Sequence, residues 1–204
     1  MSRRHRHEEI TEIEEKGPIM SALTATPAPT GTAVVAPAEA NSALPTAIAV
    51  TRIFMGFYFL WAFLDKTLGL GFATPAERAW VAGGSPTTGF LTNATAESPL
   101  ANVFAAIAGN PLVDWLFMLG LLGVGVTLIF GVGVRLGAIA GVAMLALMYV
   151  AEFPLTLTGA TNPLIDSHII DMGIMAIVFF AVADQRLSLA PIWRRIVGHR
   201  TWLW

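Results

Sequence analysis

The chain has 204 residues, of which 55% are hydrophobic and only 13% charged, with a mean hydropathy of +0.66. Soluble domains carry about 25% charged residues, so composition excludes an ordinary soluble domain, and a net charge of −2 offers nucleic acid no basic footprint. Cysteine is absent, which excludes disulfides, thiolate nucleophiles, cysteine-ligated iron–sulfur clusters and cysteine-linked haem. Redox chemistry would then need a bound small molecule, a haem held by other ligands, or a partner protein.

Residues 1–43 begin with the charged stretch MSRRHRHEEITEIEEKGPIM and continue as an Ala/Thr/Pro linker without a helical stripe. They read as a disordered cytoplasmic tail, and the charged opening does not match a cleaved secretory signal. His5 and His7 beside Glu8 and Glu9 could hold a metal loosely. No second ligand set fixes a geometry there, so no metal site is expected.

Four apolar runs follow, at about 44–66, 111–134, 136–153 and 165–183. Each approaches the ~20 residues needed to cross a hydrocarbon core about 30 Å thick. The predicted fold is all-α: an integral membrane four-helix bundle over 44–184. The 67–110 connection contains GGSPTTGF (83–90) and the short apolar piece PLANVFAAIAG (99–109). That piece is too short to span and is expected as a re-entrant or interfacial helix in the first outer loop. GGSPTTGF lacks the preceding strand and GK[ST] ending of a phosphate loop; a flexible outer loop folding over a pocket is the preferred reading. The basic, Trp-rich segment 185–204, ending PIWRRIVGHRTWLW, suits a membrane interface.

Basic residues set the expected orientation. Arg3, Arg4, Arg6, Lys16, Arg135, Arg186, Arg194, Arg195 and Arg200 fall on one side if both termini are cytoplasmic, against Lys66 and Arg78 on the other. The positive-inside rule favours that arrangement in a multi-pass protein of the cell membrane, inner or plasma. Arg52 reads as an anchor near the inner interface, paired with Asp184.

At 100° per residue, His168, Asp171, Met172, Met175 and Phe179 share one face of the last run, with Asp166 pointing roughly opposite. Gly137, Gly141, Met144, Met148 and Glu152 align on the third. Arg52, Met55, Gly56, Phe59, Phe63 and Lys66 align on the first. Gly120, Gly123, Thr127 and Gly131 offer the second run a surface for close backbone approach, and Gly137 with Gly141 forms a GxxxG pair best explained by packing inside the bundle. Asp65, Lys66, Asp114, Glu152, Asp166, His168 and Asp171 thus gather at the outer ends. Ionisable groups there cost free energy unless compensated, and Lys66 is the obvious counter-charge for Asp171 or Glu152.

Two readings of this cluster stand side by side. In one, His168 exchanges protons with Asp171 or Glu152, and a quinone headgroup binds among Lys66, Asp65, Asp166, Met172 and Phe63. In the other, the same groups form a buried ion-pair and hydrogen-bond network that fixes helix register. Asp166 also suits a helix N-cap. Haem is disfavoured, because only a Met could supply a second axial ligand to pair with His168.

The stretches TRIFMGFYFLWAFLDKTLG (51–69), GGSPTTGFL (83–91), DWLFMLGLLGVGVTLIFGVGVRLGA (114–138) and NPLIDSHII (162–170) together resemble the DoxX/DoxD membrane family, most closely its actinobacterial members. The resemblance covers roughly 45–190 and implies a four-helix membrane bundle. The family's acidic–basic end of the first span falls on Asp65 and Lys66, and its NP…D.H signature on Asn162, Pro163, Asp166 and His168. It includes the large subunit of thiosulfate:quinone oxidoreductase, which works with a second subunit, and relatives thought to join membrane complexes handling thiol or oxidative stress. The expectation is therefore a quinone-linked oxidoreductase subunit, with Arg78 and the GGSPTTG loop receiving an anionic donor. The alternatives are an accessory subunit docked onto other respiratory-complex or stress-response subunits and, less favoured, a small-solute transporter.

Overall fold

In the computed structural model, residues 43–153, 162–183 and 185–204 are described, Ala183 by its backbone alone. The tail 1–42, the connection 154–161 and Asp184 lie outside the described residues. Every regular element among the described residues is helical: α1 Ala43–Leu68, α2 Ala101–Ile107, α3 Pro111–Phe130, α4 Val134–Glu152, α5 Ser167–Phe180 and α6 Ala190–Val197, joined by short single-turn segments.

Helices α1, α3 and α4 are long and apolar enough to cross a membrane. Helix α5 has 14 residues, about 21 Å at 1.5 Å per residue, less than the 165–183 run led us to expect. Asp166 caps it at the start, and a tighter turn over Ala181–Ala183 takes over at the end.

Local chemistry places the other boundaries. The Asn110 side chain accepts from the Leu112 N–H at 2.9 Å, and Pro111 occupies the first helical position of α3, where its missing donor costs nothing. Gly131, at φ 67°, ends α3 in a left-handed cap whose N–H reaches the Thr127 carbonyl. A Cβ at Gly131 would also lie 2.4 Å from the Ser188 Cβ, so no larger residue fits.

Helices in a bilayer gain little from burying apolar area, and close van der Waals contact drives their association instead. Helix α1 packs along α3 and α5, and α4 packs along the same two. Between α1 and α3 the approach is backbone to backbone. A Cβ on Gly56 would stand 2.8 Å from the Ile129 nitrogen, and one on Gly125 2.9 Å from the Leu60 nitrogen. The expected surface of Gly120, Gly123, Thr127 and Gly131 does not make this contact; Gly123 has nothing within 4 Å. Gly137 receives Thr127 and Gly141 receives Met175, so that pair serves packing between α4 and its neighbours. Met55, Phe59, Met118, Leu128, Leu145 and Met175 fill the space between the helices.

At the end where α3 finishes, Arg52 is 2% exposed and is no interfacial anchor. Its guanidinium donates to the carbonyls of Leu128, Ile129, Arg186 and Leu187. Two of these belong to the last turn of α3, where orphan carbonyls and the negative end of the helix dipole favour a cation. The expected partner, Asp184, lies outside the described residues. The C-terminal segment folds back against the helices. Arg135 N–H donates to the Trp204 carbonyl at 2.9 Å, Trp193 Nε1 donates to the Leu203 carbonyl at 2.6 Å, and the Arg194 guanidinium lies 4.6 Å from the Trp204 ring centre.

At the other end, two buried aspartates tie down the 69–110 connection. Asp65 accepts from the N–H groups of Phe72 and Ala73 at 3.2 and 3.1 Å. Asp114, in the first turn of α3, accepts from Ser85 Oγ at 2.9 Å, Thr87 N–H at 3.1 Å and Thr87 Oγ1 at 2.6 Å. The GGSPTTGF segment is thus held by its own hydroxyls. Beneath it, Phe90, Leu91, Phe104, Leu116, Met144 and Met148 line an apolar cavity of about 420 Å³ between α3 and α4.

Candidate functional site

Asp166 precedes the first turn of α5 with extended backbone, φ −116° and ψ −169°. One carboxylate oxygen accepts from the Ile169 N–H at 3.2 Å, and the other lies 2.5 Å from His168 Nδ1. The N-cap expectation therefore matches the structure, but Asp166 does not point away from His168. The 100° rule applies within a helix, and the cap lies outside it. Burial pushes the Asp166 carboxyl upward, but the hydrogen bonds from His168 and the Ile169 N–H outweigh it and hold the group below its ordinary value. An ionised Asp166 can accept a hydrogen bond from an Nδ1–H of His168.

Glu152 is the last residue of α4 and comes up beside this pair. One ligand-capable atom from each of Glu152, Asp166 and His168 lies within 4.8 Å of the others, and all three residues are half-buried. Asp171 stands nearly one turn deeper along α5, half-buried and within electrostatic reach of His168 and Asp166. It also acts electrostatically on Tyr58 of α1.

Lys66 makes no ion pair with Asp171 or Glu152; the ion pair found among the described residues at this end joins His168 to Asp166. The packing gives the reason. Helix α4 meets α3 and α5 rather than α1, so Glu152 rises on the far side of α5 from Lys66. Lys66 instead lines a groove of about 400 Å³ along α1, with Phe54, Phe57, Tyr58, Trp61 and Phe72. The rings of Trp61 and Phe72 meet edge to face with centres 5.1 Å apart, and Phe57 lies 5.8 Å from Trp61.

The other expected residues are placed differently. Asp65 lies at the groove floor but is 2% exposed and already holds two backbone N–H groups. Phe63 and Met172 are half-buried and pack against the apolar core; neither lines the groove. Arg78 is exposed on the 69–110 connection.

The expected single pocket therefore resolves into two places. One is a carboxylate–imidazole group between α4 and α5. The other is an aromatic groove on α1, whose Tyr58 lies within electrostatic reach of Asp171. Tyr58, Trp61 and Phe72 were missed as groove residues. Their signal was present in the aromatic spacing of Phe54, Phe57, Tyr58 and Trp61, which share a face ending near Lys66.

Neither the sequence nor the fold matches a family model, a curated protein or a solved structure.

Proposed function

We propose that this protein is the membrane subunit of a quinone-linked oxidoreductase and takes the quinone ring into the α1 groove. The observation that carries the proposal is the conjunction of flat aromatic walls and two hydrogen-bond donors in one groove, with the Asp171 carboxylate within electrostatic reach of Tyr58. Trp61, Phe57 and Phe72 offer faces for a ring. The Tyr58 hydroxyl and the Lys66 ammonium can donate to the ring carbonyls, and Asp171 can exchange a proton through Tyr58. The resemblance to a family containing thiosulfate:quinone oxidoreductases supports the same reading, with the electron donor arriving from the outer side. Groove residues Phe54, Phe57, Tyr58 and Phe72 are exposed, which gives a lipid-soluble ligand lateral access.

In this reading the chain is an integral bundle of four helices in the cell membrane, both termini cytoplasmic. Helix α5 with its terminal turn is the fourth crossing, its short length met by local thinning of the bilayer. Helix α2 lies at the outer interface, with Phe104 and Ile107 toward the cavity.

The test is thiosulfate-dependent quinone reduction by membranes, together with quenching of Trp fluorescence by a short-tailed quinone in the purified protein. Tyr58→Phe and Lys66→Met should weaken quinone binding about tenfold each, the loss of one hydrogen bond to a polar group. Asp171→Asn should slow reduction while leaving binding nearly intact. Wild-type binding and rates in all three variants would overturn the proposal.

An accessory role on a larger membrane complex is the second reading, favoured by the tied-down outer connection and its exposed Leu70 and Val81. Recovery of stoichiometric respiratory subunits in mild detergent, with quinone binding absent, would select it.

A further inference from the structure

We propose that Glu152, Asp166 and His168 bind a divalent cation of the zinc class at the outer mouth of α4 and α5. The site uses different residues from the quinone groove, and neither reading depends on the other.

The donor set is mixed, two carboxylates and one imidazole, which is the chemistry of zinc and manganese sites in proteins without thiolates. The donors come from the adjoining ends of two helices that pack along one another. Glu152 closes α4, and Asp166 and His168 open α5. Their ligand-capable atoms already stand within 4.8 Å of one another. Metal–ligand bonds of about 2.1 Å place neighbouring tetrahedral ligands about 3.4 Å apart. Side-chain movements of about 1 Å therefore close the site, with the 2.5 Å His168–Asp166 contact opening as the cation replaces the shared proton. Three protein ligands leave a tetrahedral cation one further position for water or a ligand.

Charge points the same way. Glu152 and Asp166 flank a single imidazole, Asp171 adds a third carboxylate just below, and among the described residues no Lys or Arg pairs with any of them. Half-buried carboxylates lose hydration that something positive must replace. No hydrogen-bond donor among the described residues reaches Glu152. The positive start of α5 and the negative end of α4 oppose each other here, so the helix dipoles largely cancel and the side chains decide the local potential.

The experiment uses the full chain in detergent, purified through a histidine-free tag, with His5 and His7 replaced by alanine so that the tail cannot contribute. After chelator treatment, equilibrium dialysis against Zn²⁺ should load one ion per chain. His168→Ala and the nearly isosteric Glu152→Gln should each lower affinity by about 100-fold or more, beyond the 10–100-fold typical of losing a mere supporting contact. Zn²⁺ should also raise the unfolding temperature of the parent and not of Glu152→Gln. His199→Ala, at an exposed histidine of the C-terminal segment, and Tyr58→Phe, in the quinone groove, should both keep full loading. Failure of the parent to bind, or equal binding by His168→Ala and Glu152→Gln, would overturn the site. Quinone binding measured on the same samples reports separately on the groove.

Discussion

Arg52 of α1 donates to the carbonyl oxygen of Leu187, 2.9 Å away and 135 positions later in the chain. The same guanidinium holds the carbonyls at the end of α3. One planar, permanently charged group thus ties three chain segments together, a task suited to a fork of five donors. Arg52→Met should destabilise the protein by about 3 kcal/mol, since several charge-assisted hydrogen bonds are lost and buried carbonyls are left unpaired. Arg52→Lys should recover less than half of that, because an ammonium is a point donor. Reversible unfolding in detergent, followed by helical circular dichroism, measures both.

Asp114 should matter for the order of the 69–110 connection more than for helix packing. Asp114→Ala removes the acceptor of three hydrogen bonds from Ser85 and Thr87. The expected outcome is faster protease cleavage and amide exchange within 83–95, with the exchange of α3 and α4 nearly unchanged. Asp114→Asn, which keeps one acceptor oxygen, should fall between. Equal protection in all three proteins would mean that the segment is held by something else.

The glycine contacts make opposite predictions for neighbouring positions on one helix. Gly125→Leu and Gly56→Leu should each cost about 3 kcal/mol or more, because the new side chain meets backbone that cannot move aside. Gly123→Leu, with open space around its Cβ position, should be tolerated within about 0.5 kcal/mol. Unfolding midpoints of the three variants decide whether α1 docks through the Gly56–Gly125 contact.

Topology can be read directly, because the native chain has no cysteine to remove. Single Thr92→Cys and Thr201→Cys variants should react with a membrane-impermeant maleimide from opposite sides. The first should label in intact cells or right-side-out vesicles, the second in inverted ones. Labelling of both from one side would contradict four crossings.

Much of the architecture was legible from the sequence because hydropathy and the terminal signals are local. Asn110-Pro111 and Gly131 bracket α3, and Asp166 caps α5, through bonds spanning two to four residues. Asp65, Lys66, Glu152, Asp166, His168 and Asp171 were all expected near helix ends, because each sits near the end of an apolar run. Their pairing was not legible. Lys66 was assigned to the wrong partners, and Asp166 was turned away from His168 by a helical rule applied one residue outside the helix.

Sequence by itself determined that the described chain is helical, that its long helices include apolar ones able to cross a membrane, and which ionisable groups sit near helix ends. Those properties follow from composition along a single segment, where 1.5 Å per residue converts position into depth. Only the tertiary structure decided which group faces which. Lateral neighbours in a helical layer depend on which helix docks beside which, and a backbone contact such as that of Gly56 with Gly125 sets this far from the groups it brings together. Glu152 therefore meets His168 and Asp166, while Lys66 lines the aromatic groove of α1 next to Asp65.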